Sequence, residues 1–247
     1  MAWMEKGQMQ EQYQGMRDNE KGNVLFLILI AVALFAALSY AVTQSTRTSG
    51  GSSESETTLI DSAQVTQYPA SVRTAVVRMI IGGVDYKNLE FNLPANFGDC
   101  TGSPTTFTFC VFHPSGGGAT YAESPKSVMA SGAPGPWYFN AEFEVEGIGT
   151  TAAGSDGNEV IAFLPGITET VCKRLNKELG ISGAIQLNAD LSADYVKLMD
   201  NNYDIGAAAN NIIGTATGAT GLVGKPFGCF QNSGNNQFVY YHVLLEQ

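Results

Sequence analysis

The chain is poor in the residues that most enzymes and nucleic-acid binders need. It has two histidines, His113 and His242, and 13 lysines and arginines against 23 aspartates and glutamates. The formal charge of −10 repels phosphate backbones and anionic headgroups, so binding of nucleic acid by charge alone is excluded. No GxSxG, HExxH or CxxC motif is present, and no cysteine is paired with a plausible base. A Walker phosphate loop is absent as well. Gly214–Gly228 holds five glycines, but Ala219 stands where that loop needs glycine, and Pro226 follows Lys225 in place of serine or threonine. The stretch reads as a flexible surface loop. On these grounds the chain is expected to be no enzyme and to carry no cofactor, metal or catalytic residue.

Cysteine is missing from the first 99 residues. All four, Cys100, Cys110, Cys172 and Cys229, come later, as expected if that part folds in an oxidising compartment. Four cysteines allow three pairings, which the sequence alone does not choose between. We favour Cys100 with Cys110, closing a short loop through Gly102 and Pro104, and Cys172 with Cys229, tying a helix to the last strand region. Zinc is the weaker alternative, since only His113 and His242 could add imidazole ligands.

Charge is missing from the window Gly22 to Thr46. Within it Val24 to Val42 is aliphatic or small except for Ser39 and Tyr40, and a helix of that length spans a hydrocarbon layer of about 30 Å. The run is longer than a signal-peptide core, and its A-x-A-like sites at Ala31–Ala33 and Ala37–Ala41 lie inside it, so a retained transmembrane helix is expected over 23–46. Lys6, Arg17 and Lys21 precede it and only Arg47 closely follows. This bias places the amino terminus in the cytoplasm and the bulk of the chain outside. The leader, residues 1–22, carries −1 (3 basic, 4 acidic), lacks apolar periodicity, and is expected to be disordered or transiently helical as a leader or cytoplasmic tail.

Lys21-Gly22 followed by Asn23-Val24-Leu25-Phe26-Leu27-Ile28-Leu29 resembles the class III leader of type IV pilins and pseudopilins. The resemblance implies that a prepilin peptidase cuts between Gly22 and Asn23. It further implies that the retained helix packs with helices of like subunits in the bilayer of a bacterial inner membrane. The outer domain would then be periplasmic or carried on a surface filament. Two positions depart from the pattern: Asn23 replaces the usual Phe, and Leu27 occupies the place of the glutamate that registers a subunit in the filament. The alternative is a plain signal anchor carrying a binding module.

Beyond the membrane segment, residues 47–83 read as a linker and a second helix. Ser49-Gly50-Gly51-Ser52-Ser53 is a joint, Ser53 and Glu56 form a capping-box pattern, and Gly82-Gly83 is a stop. Leu59, Ala63, Val72, Ala75 or Val76, and Met79 or Ile80 are expected to face inward, with a kink or split at Pro69. From residue 84 to 247 a disulfide-stabilised, strand-rich domain is expected. Strands are expected at Leu89–Leu93, Thr105–Phe112, Trp137–Val145, Glu159–Leu164 and Gln237–Leu245. Trp137–Val145 alternates, which predicts an antiparallel sheet wet on the side of Tyr138, Asn140, Glu142 and Glu144. Glu142, Glu144 and Glu146 read as a solvated face rather than a ligand row, and Asp156-Gly157-Asn158-Glu159 as a turn rather than a calcium loop. Helices are expected at Thr168–Leu179, capped by Thr168 and facing inward with Val171, Leu175 and Leu179, and at Ser192–Asn201 with Tyr195, Leu198 and Met199 inward. His242 reads as a packed strand residue. The expected class is therefore α+β: a long amino-terminal helix, apolar and then amphipathic, on an antiparallel sheet with short helices, as in pilins.

Overall fold

The computed structural model describes residues 5–100, 107–149, 158–188 and 212–246, without the side chains of 5–23, 45–55, 99 and 216. Contacts divide the chain into two units, Met1–Glu56 and Thr57–Gln247. The first helix, α1 (Glu5–Ile81), contributes to both. It corrects three expectations: the leader is helical from Glu5, the glycine–serine joint does not interrupt the helix, and Pro69 does not split it. A glycine costs a helix only about 1 kcal/mol relative to alanine, so a pair weakens the helix without forbidding it. The expected helix at Ser192–Asn201 lies outside the described residues.

Within the second unit, α1 buries Ser62, Val65, Pro69, Val72, Val76 and Met79, which recur at alternating spacings of three and four. Val72, Ala75, Val76 and Met79 face inward as expected, whereas Leu59 is 46% exposed and Ala63 is exposed. Polar residues take the inner positions because they have partners. Asp61 accepts from Ser127 Oγ at 2.7 Å, and Ser62 Oγ donates to Glu178 Oε1 at 2.9 Å. Packing of the seam around Pro69 offsets the backbone bond that proline removes. The helix stops as expected. Val84 N donates to Met79 O and Gly83 N to Ile80 O, a Schellman closure with Gly83 at φ +94°.

Six strands form one sheet in the order β3-β5-β6-β2-β1-β4: β1 (Tyr138–Val145), β2 (Glu159–Ile167), β3 (Gln186–Asn188), β4 (Ile212–Ile213), β5 (Phe227–Asn232) and β6 (Phe238–Leu245). The four central strands are antiparallel, and β3 and β4 are added parallel at the two edges. With α1 and α2 (Glu169–Glu178), the architecture is α+β. The segment Leu89–Leu93 and the described part of Thr105–Phe112 are not strands; they meet in a single parallel bridge between Glu90 and Cys110. β2 runs through the expected stop at Pro165-Gly166, because the pairing with β6 is irregular between Pro165 and Ile167 and leaves room for the proline.

The sheet is covered on both faces, contrary to the expectation of a wet side. On one face Trp137, Phe139, Ala141, Val160, Ala162, Leu164, Tyr240 and Leu244 pack with the α1 seam and α2. On the other, Phe143, Val145, Ile161, Phe163, Phe230, Tyr241 and Val243 pack with Ile213, Ala219 and Leu222. The register of β1 against β2 shifts between Asn140 and Phe143. Apolar residues of β1 therefore face α1 up to Ala141 and the opposite way from Phe143. Residues 214–228, read from sequence as a flexible surface loop, supply that second cover. Their backbone is held by two 3-10 turns, Thr215–Thr217 and Thr220–Leu222, and by β5, which the expected loop overlaps.

Both favoured disulfides are formed, Cys100–Cys110 and Cys172–Cys229. Thr168 caps α2 by accepting from Val171 N, as expected. Asn176, whose role the sequence did not reveal, docks α2 on β5. Its amide donates to Cys229 O at 2.8 Å and accepts from Cys229 N at 3.0 Å, so Asn176 pairs the backbone where β3 does not reach. Because both Asn176 and Cys229 are buried, Asn176→Ala should cost about 1–3 kcal/mol in urea unfolding. Gly83→Ala, which forces a Cβ into the left-handed region, should cost about 1–2 kcal/mol in the same assay.

Candidate functional site

The first unit offers one chemical feature, an apolar surface. Val24–Gln44 is 21 residues long with mean hydropathy 2.7, enough for a helix to cross a membrane. All its side chains are exposed, so Leu25, Leu29, Leu34 and Phe35 face outward, with none of the described residues covering them. The polar groups sit at one end: Thr43 Oγ1 donates to Ser39 O at 2.6 Å, and Gln44 Nε2 to Tyr40 Oη at 2.8 Å. Hydroxyls satisfied within their own helix lower the cost of placing them in lipid, and a tyrosine near a helix end suits the interface. The proposed cut between Gly22 and Asn23 falls in the helical backbone of α1, where side chains are not described. Leu27 is 59% exposed, on the same apolar surface.

In the second unit the acids of β1 have separate jobs. Glu142 is buried. Glu144 is raised above the usual carboxylate range by partial burial and by Glu146. Glu146 accepts from both the hydroxyl and the amide of Thr215, which hold it below that range. Its backbone adds bonds to Ile213 O and Gly224 N, so Glu146 anchors the 212–224 cover over the sheet. Gly214 lies so close to the Glu146 side chain that a Cβ there would collide with it. The solvated row expected from sequence is thus corrected: two of its three acids are structural.

Glu159, read from sequence both as the end of a turn and as the start of a strand, is the first residue of β2. It is wholly buried at the start of β2. Oε2 accepts from Val145 N at 2.7 Å, while Oε1 has no hydrogen-bond partner among the described residues. Burial, with Glu144 and Glu246 as smaller contributors, pushes its carboxyl up to about 8. Of the neighbouring Asp156-Gly157-Asn158 turn, Asp156 and Gly157 lie outside the described residues.

The histidines are packed in aromatic surroundings. His113 lies against the rings of Phe97 and Phe107, and its Nδ1 accepts from Ser115 N at 3.1 Å. His242 stacks on Phe227 and shares a 2.8 Å hydrogen bond with Tyr240 Oη; burial, with Arg73 nearby, brings it down to about 4. Neither ring joins a cysteine, because all four cysteines are paired with each other. An open groove of about 440 Å³ lies at the ends of strands β1, β2 and β6. It is lined by Met129, Pro134, Pro136, Tyr138, Pro165 and Phe238, with Asn236 and Gln237 at its rim. Nothing in the sequence marked it, since its walls come from three stretches far apart along the chain.

The Glu159 carboxyl holds its proton more tightly in the folded than in the unfolded chain. Its contribution to stability is complete below about pH 4.5 and declines as pH rises toward about 8, by at most ~1.4 kcal/mol per pH unit. His242 acts in the opposite sense, losing stability as pH falls from 6.5 to about 4. Urea unfolding from pH 4 to 9 should therefore show an alkaline decline that Glu159→Gln flattens; an unchanged slope in that variant would refute the assignment. No known protein family, curated protein or solved structure matches this chain.

Proposed function

We propose that this chain is a pilin-like or pseudopilin-like structural subunit of a type IV pilus or a related secretion or adhesion assembly. Its Val24–Gln44 segment sits in a bacterial inner membrane, with the amino terminus cytoplasmic and the Thr57–Gln247 unit on the far side. The observation that carries the reading is α1 itself. One stretch of it is charge-free and exposed at every position, and its last turns bury a regular seam against a sheet. Lys21-Gly22 before the apolar stretch supplies the place for a prepilin peptidase to cut. The two disulfides support folding in an oxidising compartment.

The mechanism is assembly, with no chemistry and no cofactor. In lipid the apolar side chains of Val24–Gln44 are solvated by acyl chains. Association with like helices exchanges those contacts for protein packing, which small residues such as Ala33, Ala37 and Ala41 let come close. Leu27 in place of glutamate removes one charged registration point, which favours a minor subunit over a main one. The same leucine, together with the open groove at the sheet end, favours a second reading: a single-pass anchored binding module with no filament role.

Intact mass of the protein purified from membranes of cells with active prepilin peptidase decides between them. The pilin reading expects a product beginning at a methylated Asn23, and accumulation of the full Met1 form when Gly22→Val blocks the cut. A wild-type chain that keeps residues 1–22 in such cells leaves the anchored-module reading.

A further inference from the structure

Glu90, Cys100 and Cys110 place a carboxylate oxygen and two sulfurs within 4.8 Å of one another, all three residues buried. Among the described residues it is the only group of three such ligands so close. Backbone geometry holds it together. Glu90 N donates to Phe109 O at 2.9 Å and Val111 N to Glu90 O at 2.8 Å, the parallel bridge that sets Glu90 beside Cys110. The flanking Leu89 and Phe91 are wholly buried, and Phe91 stacks on Phe139 of β1 at 4.9 Å, so this corner is attached to the core. The second disulfide, Cys172–Cys229, lies against Asn176 and belongs to no such group.

Beside a disulfide the carboxylate meets two neutral sulfurs. Reduction cleaves the S–S bond into two thiols: a dithiol that closes its own disulfide gives two electrons and two protons, whereas a phosphine gives two electrons and water gives the two protons and the oxygen of the phosphine oxide. A divalent ion can then enter the same place: two thiol protons leave to water, and two sulfurs and one Glu90 oxygen, already within 4.8 Å of one another, bind it. Two thiolates and a carboxylate are ligands that zinc accepts, with water completing a tetrahedron.

We propose that reduction of Cys100–Cys110 turns this corner into a zinc site with Cys100, Cys110 and Glu90 as ligands. The residues that close a ten-residue loop in an oxidising compartment hold a metal in a reducing one. Glu90, invisible as a ligand in the sequence, is what distinguishes this cysteine pair from the other. The site does not depend on whether the chain polymerises.

The test uses full-length protein in detergent and Co²⁺ or Zn²⁺ as the probe. After phosphine treatment and desalting without oxygen, Co²⁺ should bind at one equivalent, with the absorption of tetrahedral cobalt and a sulfur-to-metal charge-transfer band. The oxidised protein should show neither. Glu90→Gln should weaken binding by about tenfold or more, and Cys100→Ser with Cys110→Ser should abolish it. Cys172→Ser with Cys229→Ser should leave the spectrum intact. Zn²⁺ should also raise the melting temperature of the reduced wild type but not of the Cys100/Cys110 variant. Absence of the cobalt spectrum after reduction overturns the proposal. So does binding that survives loss of Cys100 and Cys110, or a loss of fold on reduction that zinc does not reverse.

Discussion

The second unit depends on the contact between the α1 seam and one face of the sheet. Val65, Val72, Val76 and Met79 enter the same apolar cluster as Trp137, Phe139, Leu164 and Tyr240, and Tyr68 lies on Trp137 at 5.2 Å between ring centres. Polar links surround this contact: Asp61 with Ser127, Ser62 with Glu178, Arg78 with Gly117 O, and Arg73 with Glu246 at 3.6 Å. The exposed Arg73–Glu246 pair adds little energy, whereas the half-buried links fix which face of the helix turns inward. A helix carrying Pro69 and followed by two glycines keeps its course here because packing outweighs propensity.

The opposite face is closed by a different device. The irregular register in β1 turns Phe143 and Val145 away from α1, which creates a second apolar surface in need of cover. Residues 212–224 provide it, fastened by Glu146 to Thr215 and by Tyr241 Oη donating to Lys225 O at 2.9 Å. One bulge thus accounts for the buried Asn140 and Glu142, the glycine-rich cover, and the close approach that requires Gly214. Both cysteine links serve the α1 face. Cys172–Cys229 ties α2 to β5, and Cys100–Cys110 closes the corner that carries Phe91.

Reading the residues in order recovered some of this and misread the rest for identifiable reasons. Thr168, Val171 and Gly180 marked α2 because a capping residue, a four-residue apolar period and a terminal glycine act locally. Gly82-Gly83 marked the end of α1 for the same reason. Leu89–Leu93 and Thr105–Phe112 looked like strands because β-branched and aromatic residues also suit buried irregular segments, and nothing local tells the two apart. Leu59 and Ala63 fit the apolar period of α1 yet face outward, while Asp61 and Ser62 face inward. The partners that satisfy those two, Ser127 and Glu178, are far away in sequence. The burial of Glu159 and the groove at Pro136 and Pro165 were not legible at all, since burial and concavity arise only when separate strands meet.

The sequence by itself determined what depends on composition and on neighbours along the chain. It set the charge-free span Val24–Gln44, the long apolar-then-amphipathic order of α1, the α2 cap, the strands Tyr138–Val145 and Phe238–Leu245, and the short loop that favours pairing Cys100 with Cys110. Only the tertiary structure decided which side of each element is inside. That choice turns on the β1 bulge, on Asn176 reaching Cys229, and on the bridge that sets Glu90 beside Cys110. A one-residue slip in a strand reverses every side chain it carries, and a polar group is stable inside only if a distant partner meets it. Both conditions are long-range, and no local pattern encodes them.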